Sequence, residues 1–417
     1  MSSCCAWPAA RAGQRNHRIR HNCRIRKGEN TVTPPVILPN LTQYEHLGIE
    51  CEFNLADGHA HQFQDPAQQL IVRQLPSLFA ESERRPLRDL EEEFRLAFYG
   101  LAGQPTAADR RRTLLCQSAS QSIDLVAAFL SAQGTQVGLL RPCFDNLPGI
   151  LRRRGALLRP VAEHDLTGPG LERLLGEGGL GALFVTLPNN PTGFTLTEPE
   201  FARLVQRCAT AGTLLVIDWT FRFHTGCERW DQYAVLENSG VSYLCVEDTG
   251  KTWPTLDMKC SILAASEDLY GPLYELHNDL LLNVSPFVLR LVTRYLQDSA
   301  ERGLEATVRW LVRENRAVLR RGLRGTVLAP AGPVATISVE WMRIGSPVLS
   351  ALDVVGLLAD AGVGILPGDH FHWEDPQTGS RYVRFALARD PAVFAAACAR
   401  ARAALVAAAL PRREGAA

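Results

Sequence analysis

An α/β fold, with a mainly parallel sheet flanked by helices and a smaller α+β domain attached, is what this 417-residue sequence predicts. Three observations carry that expectation. Apolar runs with the length of buried strands, Gly181 to Leu187, Leu214 to Ile217 and Tyr243 to Val246, each end in polar residues. Helical stretches such as Glu198 to Thr210 separate them, which is the sequence form of parallel βαβ units. Further on, Thr336 to Glu340 and Tyr382 to Leu387 alternate like half-buried strands and mark the second domain.

Taken in order, the covering helices are expected at Ser120 to Leu130, with an apolar face from Ile123 through Val126, at Gly303 to Leu323 and at Ala392 to Leu410. No internal repeat is visible. The predicted division is a disordered basic extension at 1–39, a leading segment at 40–80, a large domain at 81–290 and a small domain at 291–417. In parallel sheets the ligand lies beyond the carboxyl ends of the strands. All three polar clusters fall there: Pro188-Asn-Asn-Pro-Thr-Gly193, Asp218, and Glu247-Asp-Thr-Gly-Lys251.

Composition narrows the function class. Lys plus Arg equals Asp plus Glu, at 44 each, so no global field points to nucleic acid or a membrane as partner. A content of 46% hydrophobic and 21% charged residues is that of an ordinary globular enzyme. The eleven cysteines include no Cys-x-x-Cys pair and several sit in apolar runs, so reduced thiols in a cytoplasmic protein are expected, with no metal. The apolar stretch Ala403 to Leu410 is too short to span a bilayer. Residues 1–39 carry Arg11, Arg15, Arg18, Arg20, Arg24, Arg26 and Lys27 without apolar periodicity, and are too short and aperiodic for a helix-turn-helix domain.

The chemistry centres on Lys251, in a Thr-Gly turn just past a strand, with a second cation, Lys259, eight residues on. A nearby cation or a dry pocket lowers a lysine pKa toward Schiff-base chemistry. An aldehyde cofactor with a pyridine nitrogen, a phenolic oxygen and a phosphate needs four further partners, and the sequence offers each. Asp218 at a strand end suits the ring nitrogen, and Asn190 suits the phenolic oxygen. Ser118-Ala119-Ser120 opens a helix, where anions bind, and Phe144 offers an aromatic face.

Asn-x-Pro-Thr-Gly, then a strand-end Asp, then Lys with a cation eight residues later, then Arg384 in Tyr-Val-Arg-Phe, resembles the fold-type I aminotransferase superfamily of pyridoxal-phosphate enzymes, over residues 40 to 410. The resemblance implies pyridoxal 5'-phosphate on Lys251, which also shuttles protons. It implies Asp218, Asn190 and Thr220 at the cofactor, Arg384 on the substrate carboxylate, and a homodimer.

Two departures are informative. The family commonly carries Ser or Thr three residues before the lysine as a phosphate ligand, and here that position is Asp248. Like charges ~4 Å apart cost about 4 kcal/mol at an effective dielectric of 20, so Asp248 is expected to face a cation, the substrate or a neighbouring lysine, and not the phosphate. The phosphate cation is Lys259 in place of the usual arginine, a point charge instead of a fork.

Asn40-Leu-Thr-Gln-Tyr-Glu-His46, Asn54-Leu-Ala-Asp-Gly-His-Ala-His-Gln62, Glu247-Asp-Thr-Gly-Lys-Thr-Trp-Pro-Thr-Leu-Asp257 and Phe371-His-Trp-Glu-Asp375 are similar to the pyridoxal-phosphate-dependent L-arginine hydroxylases and oxidases of guanidino amino-acid antibiotic pathways, such as that of enduracididine. That resemblance implies a segment at 40–80 that covers the substrate, with Thr42, Glu45 and Asp248 on the guanidinium and Asp57 and Asn189 among the substrate contacts. It implies L-arginine and dioxygen as reactants, His59 as a catalytic residue handling oxygen-derived intermediates or water, and His61 as a weaker second. By itself Asp57-Gly58-His59 is a turn carrying an ionisable pair able to move protons near neutral pH.

Overall fold

The first described helix is α1 (Leu41–Ile49), whose first turn is closed by a reciprocal capping box between Asn40 and Gln43. The structure, a computed structural model, describes residues 40–176 and 180–409; the expected basic extension at 1–39 lies outside the described residues.

The large sheet is built from β1 (Thr113–Cys116), β2 (Gln136–Arg141), β3 (Leu157–Ala162), β4 (Ala182–Thr186), β5 (Leu214–Asp218), β6 (Tyr243–Asp248) and β7 (Ser261–Ala265), in the order β1-β7-β6-β5-β4-β2-β3. Every residue of β4, β5 and β6 is buried, which is why these strands read as unbroken apolar runs. Each Val, Leu, Ile or Phe hidden there contributes about 1.5–3 kcal/mol. β2 to β6 pair in parallel, as expected, whereas β7 runs antiparallel to both β6 and β1. The cause is the connection: residues 249–260 contain no helix, and a parallel return needs a long crossover, usually helical.

Helices cover both faces, including α2 (Ala119–Ala132), α3 (Asn146–Arg153) and α4 (Glu198–Ala211). The predicted boundary at 290/291 falls inside the continuous α5 (Pro286–Arg302), which packs on the helices Leu75–Arg84 and Leu87–Ala102. α5 stops at Gly303, where φ is +85°. The helix expected over 303–323 begins as a π-helical turn, Glu305–Arg309, and continues as α6 (Trp310–Gly322).

The smaller layer has β8 (Leu328–Pro330), β9 (Val339–Ile344), β10 (Leu366–Pro367) and β11 (Tyr382–Ala386), antiparallel in the order β10-β11-β9-β8. β9 starts three residues later than the alternation suggests, and the Arg316 guanidinium takes the carbonyls of Ile337 and Val339 at its start. α7 (Pro391–Ala409) contains an 18-residue window of mean hydropathy 1.4, long and apolar enough to cross a bilayer. Its Phe394, Ala397, Ala401 and Leu405 are instead buried in the core of the small layer.

The leading segment divides between the layers. Phe53–Asn54 pairs in parallel with Val363–Gly364, while the helices Pro66–Arg73 and Leu75–Arg84 pack on α5. α1 is held close to this pair through two glycines: a Cβ on Gly364 would lie 2.6 Å from the Gly48 Cα. The described cysteines are all free, and all but Cys51 are buried.

Candidate active site

The register of the sheet assembles the site. Thr186 pairs with Asp218 and Asp218 with Val246, so the carboxyl ends of β4, β5 and β6 open side by side onto one cavity of ≈ 220 Å³. Lys251 and Lys259 reach it from the turns after β6, and Ser118, Ala119 and Ser120 from the start of α2, where Ser118 caps the helix by accepting from the Gln121 N–H. Phe144, Asn190, Thr220 and Asp248 line it, with Arg384 from β11 and Thr42 and Glu45 from α1.

Asp218 is buried, and both donors of Thr220 converge on one of its oxygens, the backbone N–H at 2.9 Å and the hydroxyl at 2.5 Å. Burial still raises its carboxyl to about 6 against those bonds. A buried carboxylate without a countercharge is costly, and a protonated ring nitrogen would supply one. Thr220 thus orients Asp218 and itself lines the cavity.

Orphaned polar atoms mark where a polar ligand fits. Asn190 Oδ1, Thr186 Oγ1 and Asp248 Oδ1 are buried, belong to residues that line this cavity and have no hydrogen-bond partner among the described residues. Each unmet group of this kind costs about 1–3 kcal/mol. Together with a carboxylate that resists ionisation and a helix start beside Lys259, they fit an aromatic aldehyde phosphate.

Asp248 keeps one oxygen on the Gly250 N–H, at 2.9 Å, and leaves the other free. Among the described residues it forms no ion pair with Lys251 or Lys259; Lys259 is paired with Asp257 at 3.2 Å.

Arg384 is 1% exposed, its guanidinium carbon 5.7 Å from the ring centres of Phe144 and Phe371. It donates to the Ala56 carbonyl, lies 3.6 Å from Glu45, and leaves Nε unpartnered. Burial holds it below the usual arginine range, opposed by Glu45 and Asp57. A ligand carboxylate would relieve that cost.

The His59 ring lies against both lysines, with Nε2 at 2.9 Å from Lys259 Nζ, and with Lys251 Nζ at 3.3 Å from Nε2 and 3.4 Å from Nδ1. Its Nδ1 lies 2.6 Å from Asp57 Oδ1. Burial and the charge of Lys251 push His59 below its usual value, with Asp57 opposing them. Burial pushes the Asp57 carboxyl up, but hydrogen bonds from His59 and His61 outweigh it and hold the group well below the usual carboxylate range. An ionised Asp57 fixes the proton of a neutral His59 on Nδ1, leaving Nε2 as a base toward the lysines.

Two of the expected substrate contacts fall outside the cavity lining. Asp57 is not on the wall: its oxygens are taken by His59 and, at 2.5 Å, by His61 Nε2, an arrangement that orients the histidines. Asn189 is also off the cavity wall, its amide committed to the Pro142 carbonyl at 2.7 Å and to Glu163 at 2.6 Å. It holds the turn that ends at Gly193, φ +76°, and so presents Asn190. His61 stands behind Asp57 with its side chain 34% exposed.

Sequence reasoning missed Thr186, Gly58 and Arg389. Thr186 is the last residue of β4, and the strand-end rule that selected Asp218 applies to it equally. Gly58 is a wall residue whose Cβ would stand 3.7 Å from the Arg384 guanidinium and 3.9 Å from Lys251 Nζ. Arg389, 4% exposed, holds backbone carbonyls of the His59 turn, and nothing in its local sequence signals that.

A family model for aminotransferase class I and II matches residues 64–400. Among solved structures, the chain is similar to MppP soaked with the product 2-ketoarginine: 38% identical, TM-score 0.78, covering 84% of this chain and 98% of that one. It also shares its fold with the aspartate aminotransferase of Thermus thermophilus with maleate, at 18% identity and TM-score 0.70 over 88% of this chain and 97% of the other. LL-diaminopimelate aminotransferase of Maridesulfovibrio salexigens is 23% identical over 209 residues, 50% of this chain, so the chain matches about half (52%) of that relative's length. The chain belongs to the aminotransferase class I and II family, pyridoxal 5'-phosphate enzymes with the fold-type I architecture.

Proposed function

We propose that this protein oxidises L-arginine with one dioxygen and one water, giving 2-oxoarginine, ammonia and hydrogen peroxide, and with a second dioxygen and a second water gives 4-hydroxy-2-oxoarginine and a second peroxide. The observation that carries the reading is Asp248: a buried carboxylate oxygen without a partner, three residues before Lys251, on the wall of a cavity that also holds Arg384. A substrate with a carboxylate at one end and a cation at the other suits that pair. The 38% identity to MppP, studied with the product 2-ketoarginine, supports the same substrate class.

The bound cofactor supplies an electron sink for the substrate Cα. Lys251 would hold it, with Asp218 toward the ring nitrogen, Asn190 toward the ring oxygen, and Ser118, Ala119, Ser120 and Lys259 toward the phosphate. Lys251 then takes the Cα proton, and neutral His59, 3.3 Å away, accepts or returns a proton at Nε2. Thr42 and Glu45 on α1 line the cavity with Arg384 and would cover the bound substrate there. Assembly as a homodimer in the cytoplasm, and service in a guanidino amino-acid antibiotic pathway, belong to the same proposal.

The rival is a conventional arginine aminotransferase, which the family match supports equally. Protein, arginine and air, without a keto-acid acceptor, should consume oxygen and release ammonia. Turnover that appears only with 2-oxoglutarate, with no oxygen uptake, would establish the aminotransferase instead. A regulatory or binding role for the fold would show neither.

A further inference from the structure

Arg389 lies five residues past Arg384 and is also deeply enclosed, yet among the described residues no carboxylate bonds its guanidinium. Its Nε donates to the Asn54 carbonyl at 2.6 Å, one terminal nitrogen to the His59 and Ala388 carbonyls at 2.9 Å each, and the other to the Asp57 carbonyl. A buried charge satisfied only by carbonyls is expensive, and a plain apolar side chain would fill the space at lower cost. The expense has an object. Residues 55–65 have no helix or strand, and the Asp57 and His59 carbonyls in this stretch accept from the guanidinium fork in place of ladder partners.

The anchor is itself rigid. Asn315, on α6, donates to the Leu387 and Arg389 carbonyls at 2.7 and 2.8 Å, and the His61 N–H bonds the Ala388 carbonyl at 3.0 Å. Between the carbonyls that Arg389 holds lies the Asp57 side chain, which takes both the ring Nδ1 and the backbone N–H of His59.

The geometry points to Arg389 as a positioning residue that fixes the His59 ring against the ε-amines of Lys251 and Lys259 by holding the carbonyls of Asn54, Asp57 and His59. The inference rests on the proposed role of His59, and its test is partly independent of turnover. The charges facing His59 are Asp57, Lys251, Lys259 and Asp257, whose carboxylate is 3.7 Å from Nε2; those acting on Arg389 are Asp57, Arg384 and Glu45.

The experiment compares wild type, Arg389→Lys and Arg389→Gln as holoenzymes by amide hydrogen exchange, cofactor absorbance and steady-state kinetics with arginine. Exchange in a peptide spanning 53–62 should rise about tenfold while β9 and β11 stay protected, because the lost bonds are local. Cofactor absorbance should persist, and kcat should fall about tenfold or more with KM changed less than about threefold. His59→Gln with Arg389→Lys should be no slower than His59→Gln alone, since the two act as one unit. Unchanged exchange at 53–62 overturns the inference. So does exchange rising equally in β9 and β11 with parallel loss of cofactor, which marks a purely structural arginine. If Arg389→Gln does not fold, Arg389→Lys decides. If even the wild type does not turn over arginine, the exchange pattern still decides on Arg389, and only the proposed function falls.

Discussion

Residues 64–400 and residues 40–63 contribute to the same cavity in different ways. The first stretch matches the aminotransferase class I and II model and carries the groups suited to the cofactor: Lys251, Asp218, Asn190, Lys259 and the start of α2. The second lies outside that match and delivers Thr42, Glu45, Gly58 and His59, clamped from the other side by Arg384 and Arg389. On the proposed reading, a general cofactor frame has its acid–base group supplied by a segment outside that match. On that division, damage to the frame should remove the cofactor, and damage to the segment should spare the cofactor and change only the chemistry.

The largest contrast is between Lys251→Ala and His59→Gln. The first should abolish the visible absorbance of lysine-bound cofactor together with all turnover. The second should retain that absorbance and lose about 10²–10⁴-fold in kcat, the usual range for a general acid or base. Absorbance spectra with kinetics on both variants check this, and equal loss of cofactor from His59→Gln would erase the distinction between segment and frame.

Asp248 sits on the border, since its backbone belongs to β6 and its free oxygen faces the space that the segment closes. Asp248→Ser should weaken arginine binding about 10- to 100-fold, the size of a lost charge-assisted hydrogen bond, with little change in cofactor affinity. Titration of the holoenzyme with arginine, beside titration of the apoenzyme with cofactor, separates the two. Equal effects on both would make Asp248 part of the frame.

How much of this was legible in the sequence follows the same division. The frame was readable because β4, β5 and β6 are buried on both faces and end in polar residues, so the apolar runs placed Asp218, Asn190 and Lys251 at the carboxyl edge of the sheet, while the roles expected of them came from motif spacing and resemblance. β7 was not, since its antiparallel pairing depends on the lack of a helix in 249–260 and not on its own residues. In the segment, Asp57 and His59 were visible as a turn pair, but which one faced the cavity was not. Their orientation is imposed by Arg389, more than 300 positions away in sequence, as the 330-residue separation from His59 shows. Asn189 misled because adjacent residues in an irregular turn point in different directions, one to Glu163 and the other to the cavity.

The smallest expected effect tests the frame without ligand. Asp218 has a folded pKa of about 6, raised by burial above the ordinary carboxyl value. A raised folded value means that the group's stability contribution is full below the unfolded pKa of ~3.9 and is lost as pH rises through about 6. At pH 8 the apoprotein therefore carries a penalty of up to about 3 kcal/mol from ionised Asp218, at 1.36 kcal/mol per unit. Asp218→Asn keeps an oxygen for the two Thr220 donors and removes the charge, so the apo variant should melt a few degrees higher than wild type at pH 8. That gap should close as pH falls from 6 toward 4, because the wild-type carboxyl is then neutral as well. In the holoenzyme the sign should reverse, since the charge penalised in the empty frame is the one a ring cation would use. A gap independent of pH would mean that Asp218 is already paired within the chain, and its role in holding the cofactor would need another carboxylate.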